Sequence, residues 1–371
     1  MSRRAIISDI HSNLLALEAV LADIQQQNVD GIICLGDICG YGPQPVECLE
    51  KVRTLAQWTL MGNHDEALFV EPKDFGKNAR LAIEWQKRVL EPKLDSTQVD
   101  EERWYWLQNL SPRRVENNVL FVHASPREPL YEYVLREDFS DGGLGPSEKA
   151  VEIFRAMEWL CFCGHSHRPG VVAEDYQWYR PEELNNYMYV LKPGCKTLIN
   201  VGSVGQPRDG ITWACYCIFD LPERADLQKT MRLKPLPGGA PPVSEEQPTV
   251  KLPPPPGALE GNQGLSEVGV MEIGEDDKTP ISEELTKTVQ MAMSGQAASG
   301  TADAQVITEE ATAQDETRTS EELQEARVSA LLNQPRVTFR RVSYDVVAAQ
   351  ARFRAVPELP ESNALRLAKG L

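Results

Sequence analysis

Short apolar runs alternate with stretches of helical period through the first part of the chain. "RRAIIS" at 3–8 suits a buried strand, and in "NLLALEAVLADIQQQ" at 13–27 the residues Leu14, Leu17, Val20, Leu21 and Ile24 recur at the spacing of one helix face. Asn13 stands where a helix cap belongs. A second run, "GIICLG" at 31–36, precedes a helix over 44–56 that starts near Pro43 and Pro45, and "QWTLMG" at 57–62 makes a third strand. Strand, helix, strand, helix, strand predicts an α/β fold with a parallel sheet built from right-handed crossovers. Helices are predicted near 74–90 and 97–109, then strands at 118–124, 159–165, 197–203 and 212–220. Far downstream, "RVTFRRVSYD" at 336–345 alternates like a strand on a partly covered sheet, followed by a helix in "VVAAQARFRA" and a short one before the C-terminus.

Between these patterned regions the composition changes. Residues 236–334 contain no Phe, Trp or Tyr, open on the Pro-rich run "LPGGAPPVSEEQPTVKLPPPPG", and hold 18 Asp/Glu against 5 Lys/Arg. Such a segment buries too little apolar surface to offset the entropy of ordering, so it is expected to be disordered. Patterned sequence resumes behind it, which makes it an insertion within one domain rather than a tail. Within it, Ile281, Leu285, Val289 and Met293 recur every four residues and Thr319 with Glu322 has the form of a capping box. These features read either as transient helices that dock a protein partner or as a weakly helical spacer.

The segment accounts for −13 of the formal charge of −17. The remaining body is close to neutral for its size, which gives no signal for nucleic-acid binding. Eight cysteines in a chain of 371 residues, with no apolar stretch of secretory or membrane-spanning length, read as reduced thiols. A cytoplasmic protein without membrane attachment is expected. Cys161 and Cys163 alternate in "LCFCGH" and read as small core residues on one side of a strand.

Only five histidines are present, and each lies in a short phrase at a predicted strand end: His11, His64, His123, His165 and His167. Asp9 and His11 stand at i and i+2, so in extended backbone both side chains leave one face, and His165 and His167 repeat that spacing. Asp37 follows the second strand, and Asn63 and His64 follow the third. Open α/β sheets place their sites at such carboxyl ends. One pocket would gather two carboxylates, an amide oxygen and four or five imidazoles, a donor set suited to divalent Mn, Fe, Ni or Zn. Seven candidate ligands exceed the needs of one ion and suit two sharing Asp37, which would clamp an in-line displacement at phosphorus with bridging water as nucleophile. A non-ligating His64 could then protonate the leaving oxygen if Asp65 orients and charges its ring.

"DIHSN" (9–13), "GDICGYGP" (36–43), "GNHD" (62–65), "VHASP" (122–126) and "GHSH" (164–167) resemble, in order, the five blocks of the calcineurin-like metallophosphoesterases. "NVGSVGQPRDG" (200–210) and "VSYDV" (342–346) resemble the bacterial and archaeal branch labelled phosphodiesterase or diadenosine-tetraphosphatase-like. The resemblance implies a four-layer α/β/β/α sandwich, with domain boundaries at 1–235 and 335–371 around the 236–334 insertion. It implies Asp9, His11, Asp37 and His167 around one ion, and Asp37, Asn63, His123 and His165 around the other. It also implies a catalytic His64 backed by Asp65.

The family's protein Ser/Thr phosphatases carry an arginine before the GNH block and another beside the GD block. Here Met61 precedes "GNHD" and residues 38–42 contain no arginine. A small phosphodiester or nucleotide-type substrate is therefore expected, the alternatives being a phosphomonoesterase or protein phosphatase, or a scaffold that recruits partners through the insertion. Tyr41, Arg168 and Arg208 are candidate substrate contacts. Gly202, Ser203 and Gly205 read either as an anion cradle or as glycines that permit close packing.

Overall fold

The computed structural model describes residues 2–139, 145–192, 194–222 and 334–371. Along the chain these form β1 (Ser2–Ile7), α1 (Leu14–Gln25), β2 (Gly31–Cys34), α2 (Pro45–Leu55), β3 (Ala56–Thr59), α3 (Asn63–Glu66), α4 (Lys77–Leu90) and α5 (Gln98–Gln108). There follow β4 (Arg113–Glu116), β5 (Val119–Val122), α6 (Glu148–Arg155), β6 (Leu160–Cys163), β7 (Gly170–Ala173), β8 (Trp178–Tyr179), β9 (Met188–Val190), β10 (Thr197–Asn200) and β11 (Ala214–Leu221). Beyond the undescribed stretch come β12 (Arg336–Val342), α7 (Val346–Arg354) and α8 (Glu361–Leu367).

Alternation along single strands sets the layers. On β11, Ala214, Tyr216 and Ile218 pack with α1, α2, α4 and α5, while Cys215, Cys217 and Phe219 point the other way into a cluster shared with Phe121, Phe162 and Ile199. On β6, Leu160 and Phe162 enter that same central cluster, and Cys161 and Cys163 face Ile153 and Phe154 of α6. The strand period of two thus sends neighbouring residues to opposite faces. Two six-stranded sheets, ordered β3-β2-β1-β11-β12-β9 and β4-β5-β6-β10-β7-β8, stack face to face with helices outside. This is the expected α/β/β/α sandwich.

Both sheets are mixed rather than parallel throughout. β1, β2 and β3 run parallel in the first, as do β5, β6 and β10 in the second, and antiparallel strands complete each sheet. Asn13 caps α1 as expected, its side chain accepting from the Ala16 N–H. Sequence periodicity misses β4, β7, β8 and β9, each of two to four residues, too short to establish a period. It also misses α6, although Ser147 caps it and Ala150, Ile153 and Phe154 lie on its buried face. The expected strands run two or three residues too far at their carboxyl ends, where β6 stops at Cys163 and β10 at Asn200.

The insertion with its helical repeat and capping box lies almost wholly outside the described residues. Its attachment points are described. β11 and β12 pair antiparallel from Ala214↔Val342 to Asp220↔Arg336, so the chain departs and returns at adjacent ladder positions. Replacing residues 223–333 with a short Gly/Asn turn should therefore retain the fold, with circular dichroism and the thermal midpoint close to those of the full chain. Collapse of the cooperative transition would show that the intervening residues are needed for folding.

Candidate metal centre

Six strands that run parallel within their own sheets, three per sheet, end at one side of the sandwich, and the loops beyond their carboxyl ends carry the site. Asp9 and His11 follow β1, Asp37 follows β2, Asn63 and His64 open α3 after β3, His123 follows β5, His165 and His167 follow β6, and Arg208 follows β10. Asp9, His11, Asp37 and His167 present ligand atoms within 4.8 Å of one another, as do Asp37, His123 and His165, and all are buried. The Asn63 Oδ1 lies 3.1 Å from the His123 Nε2.

The expectation of extended backbone at the two histidine pairs is corrected. Asp9, His11, Asp37, His165 and His167 all have φ between 48° and 63°, a region that non-glycine residues adopt at a cost of about 1–2 kcal/mol each. The side chains converge because tight loops turn them inward. The Gly62 position explains one glycine: a Cβ there would lie 2.1 Å from the Asp37 Oδ1.

Each of four imidazoles meets a backbone carbonyl at one nitrogen: His11 Nδ1 at Cys39 O (2.9 Å), His123 Nδ1 at Leu35 O (3.1 Å), His167 Nδ1 at Gln206 O (2.5 Å) and His165 Nε2 at Tyr131 O (3.1 Å). A carbonyl only accepts, so these nitrogens carry a proton; in His11, His165 and His167 the opposite nitrogen keeps its lone pair, whereas the His123 Nε2 faces the Asn63 Oδ1 and Asp37 and is protonated in the metal-free protein. For His11 and His167 the free nitrogens face each other at 3.0 Å. The Asp37 Oδ2 is buried without a hydrogen-bond partner, 3.5 Å from the His11 Nε2 and 3.4 Å from the His123 Nε2. The facing lone pairs of His11 and His167, beside a buried carboxylate oxygen that makes no hydrogen bond, are the chemistry of a cation site, and the donor set fits divalent metal.

Electrostatics follow from burial and neighbours. Burial raises the Asp9 carboxyl, but His167, which also hydrogen-bonds it, together with His123 and His11 outweighs that and holds the group well below the usual carboxylate range. Burial, with His167 and Arg208 adding to it, lowers His11. His165 is likewise lowered by burial and then by His123. His123 is the exception: burial lowers it, and Asp37, aided by Asp9 and Asp65, raises it on balance to about 9.

The expected support of His64 by Asp65 is also corrected. The Asp65 carboxylate accepts from the backbone N–H groups of Cys39 (2.9 Å), Gly62 (3.1 Å) and Ile38 (3.4 Å). Adjacent residues on a helical turn do not face each other, and the His64 Nδ1 is buried without a partner. His64 instead packs edge-on against His11 and Phe75, each at 4.8 Å between ring centroids. Its backbone N–H donates to the Asp37 Oδ1 at 2.9 Å.

Of the candidate substrate contacts, Arg208 donates from Nη2 to the Tyr41 hydroxyl at 3.2 Å and to the Gln206 Oε1 at 2.7 Å. Tyr41 lies 4.8 Å from the His11 ring and 4.7 Å from the His64 ring, which puts this pair at the edge of the cluster. Arg168 is turned away, donating from Nε to the Arg208 carbonyl at 3.3 Å. The Gly-rich turn packs closely rather than cradling an anion: the Gly205 N–H donates to the Asp9 carbonyl at 2.9 Å, and a Cβ at Gly205 would lie 1.8 Å from the Ile10 oxygen.

Two residues that sequence reasoning missed complete the surroundings. Tyr133 stacks on His165 at 4.1 Å between centroids, and no sequence signal marks it. Gln86 occupies a core position of α4 alongside Ile83 and Leu90, a polar residue on an apolar face that was readable in advance. Its side chain accepts from the Gly40 N–H (2.7 Å) and donates to the Gly42 carbonyl (2.6 Å) and the Ser12 hydroxyl (3.0 Å), fixing the loop after Asp37.

A family model described as a calcineurin-like phosphoesterase superfamily domain matches residues 3–224. An uncharacterised protein of Methanocaldococcus jannaschii is 41% identical over 224 residues, covering 58% of this chain and 82% of that protein. Among solved structures, a metallophosphoesterase from Sphaerobacter thermophilus is similar over 100% of this chain and 99% of its own, at 26% identity and a TM-score of 0.57.

Two outcomes can be measured here. Gln86→Leu strands a buried N–H and a carbonyl, and should cost about 2–4 kcal/mol in urea unfolding. A metal-ligating imidazole must be unprotonated, whereas His123 holds its proton up to about pH 9 in the metal-free protein. Metal uptake at neutral pH should therefore release a proton, and apparent affinity should rise with pH until about 9. Calorimetric titration in buffers of differing ionisation enthalpy reads this directly, and proton-independent uptake would contradict it.

Proposed function

The chain belongs to the calcineurin-like phosphoesterase superfamily and is a metal-dependent phosphoester hydrolase, and on that premise we propose that it cleaves phosphodiester or nucleotide-type substrates at a centre of two divalent ions. The observation that carries the two-ion reading is the Asp37 Oδ2, unpartnered and about equally far from a histidine of each cluster. In this reading Asp9, His11, Asp37 and His167 hold one ion, and Asp37, Asn63, His123 and His165 the other. Bound ions would supply Lewis acidity at the phosphoryl oxygens and a water made acidic enough to attack at neutral pH.

The chain's own groups divide the remaining work. Arg208, steadied by Gln206 and Tyr41, offers a fixed cation beside the centre for the anionic substrate. His64 acts on the leaving oxygen. Burial, with the neighbouring His11 and Arg208 disfavouring a second positive charge, holds this imidazole well below its ordinary pKa, so it is neutral in the free protein. With Asp65 turned elsewhere, the negative charge that raises its proton affinity is that of the substrate itself. The absence of an arginine at Met61 or in 38–42 leaves fewer cations for a phosphomonoester dianion, which supports the diester preference.

Among the described residues no helix is long and apolar enough to cross a membrane. Activity should be read on the metal-loaded full chain with bis(p-nitrophenyl) phosphate and p-nitrophenyl phosphate in parallel. The diester should be turned over faster, and Asp37→Asn should lower turnover by at least about 10³-fold together with bound metal per chain. Wild-type turnover in that variant would sink the shared-carboxylate assignment, and preference for the monoester would sink the diester one.

A further inference from the structure

The loop after β10 also forms one wall of a pocket of about 410 Å³ next to the centre. That volume lies in the range of roughly 300–1,000 Å³ that small-molecule sites occupy. Arg208 belongs to both places: it lines the pocket, its N–H donates to the carbonyl of His167 at 3.2 Å, and its guanidinium reaches Tyr41. Arg168, the residue after His167, lines the same pocket. Whatever is bound at the centre through Arg208 therefore has this space beside it.

The pocket's chemistry is specific. Trp178 and Ile211 contribute apolar surface, and Arg136, Arg168, Arg180 and Arg208 contribute cations. Its carboxylates are Glu137, Glu182 and Asp209. The last two are met from behind by the buried Arg341, whose Nη2 lies 2.8 Å from the Glu182 Oε1 and also pairs with Asp209. Arg168 stands 3.7 Å from Glu137, and Arg180 3.1 Å from Glu183, with all four side chains open to solvent. Such pairs are worth at most about 1 kcal/mol in water. A phosphate group, which takes the guanidinium fork through two oxygens at once, competes with them readily.

Resting on the phosphodiester reading above, we propose that this pocket holds the part of the substrate beyond the reacting phosphorus, and that this part carries a second phosphate gripped by Arg168 and Arg180. The body joining the two phosphates lies along Trp178 and Ile211. The substrate class is accordingly a phosphodiester or nucleotide with an additional phosphate, and simple diesters are poorer substrates for want of it.

The p-nitrophenyl esters of thymidine 5′-phosphate, with and without a 3′-phosphate, test this on the full metal-loaded chain. Both release the same phenolate from the same kind of diester and differ only in the distal charge. The 3′-phosphorylated ester should show kcat/KM higher by roughly tenfold or more, mostly through KM. Arg168→Gln and Arg180→Gln should each pull that ratio toward one, and Glu137→Gln should raise it. Equal kcat/KM for the two esters in the wild type, or a ratio that neither arginine variant alters, overturns the pocket assignment while leaving the diester reading intact. Turnover of neither ester beside turnover of p-nitrophenyl phosphate removes the diester reading, and this inference with it.

Discussion

Two carboxylates closed off from water, Asp9 and Asp37, are the constraint on which the rest of the structure depends. A desolvated carboxylate is costly unless donors or cations surround it. The chain meets part of that need with its own backbone: the His165 N–H donates to Asp9, and the His64 N–H to Asp37. The first of these bonds joins loops of the two sheets and the second joins two loops of one sheet, and Asp9, Asp37 and His165 accept left-handed backbone in making them. The four-layer sandwich supplies the rigidity that holds them there. What the backbone leaves uncompensated, the Asp37 Oδ2, is where metal chemistry belongs.

Arg208 extends the same electrostatics outward. Its charge adds to burial in lowering His11, His64 and His167, which keeps those imidazoles neutral. One cation thereby favours lone pairs within the cluster and places a positive charge at its rim. Gln206 joins these functions physically, since its carbonyl meets His167 and its side-chain oxygen receives Arg208.

Much of this was legible in the sequence, for reasons that differ by element. Apolar runs and helical spacing located β1, β2, β11 and α1 because each has a buried face long enough to show its period. Clustering all five histidines at strand ends located the centre. His165 and His167 of the "GHSH" phrase fall into different clusters, on backbone that is left-handed rather than the extended form expected. Contacts that join distant segments left no local trace: Tyr133 reaches His165 from a loop, and Asp65 turns to backbone groups of the preceding strand's loop. Sequence adjacency suggested the wrong partner for Asp65 because one step along a helix rotates a side chain away by about 100°.

The β11–β12 ladder has a consequence for how this protein can be taken apart. β12 is held by seven paired positions with β11, by Arg336 on Asp220 and by Arg340 on Asp23 of α1. None of these contacts depends on the peptide bonds between Leu221 and Arg336. A chain severed within that stretch would keep its C-terminal strand and helices in place as a non-covalent fragment, so the hydrolase is in effect a split protein whose halves happen to be joined.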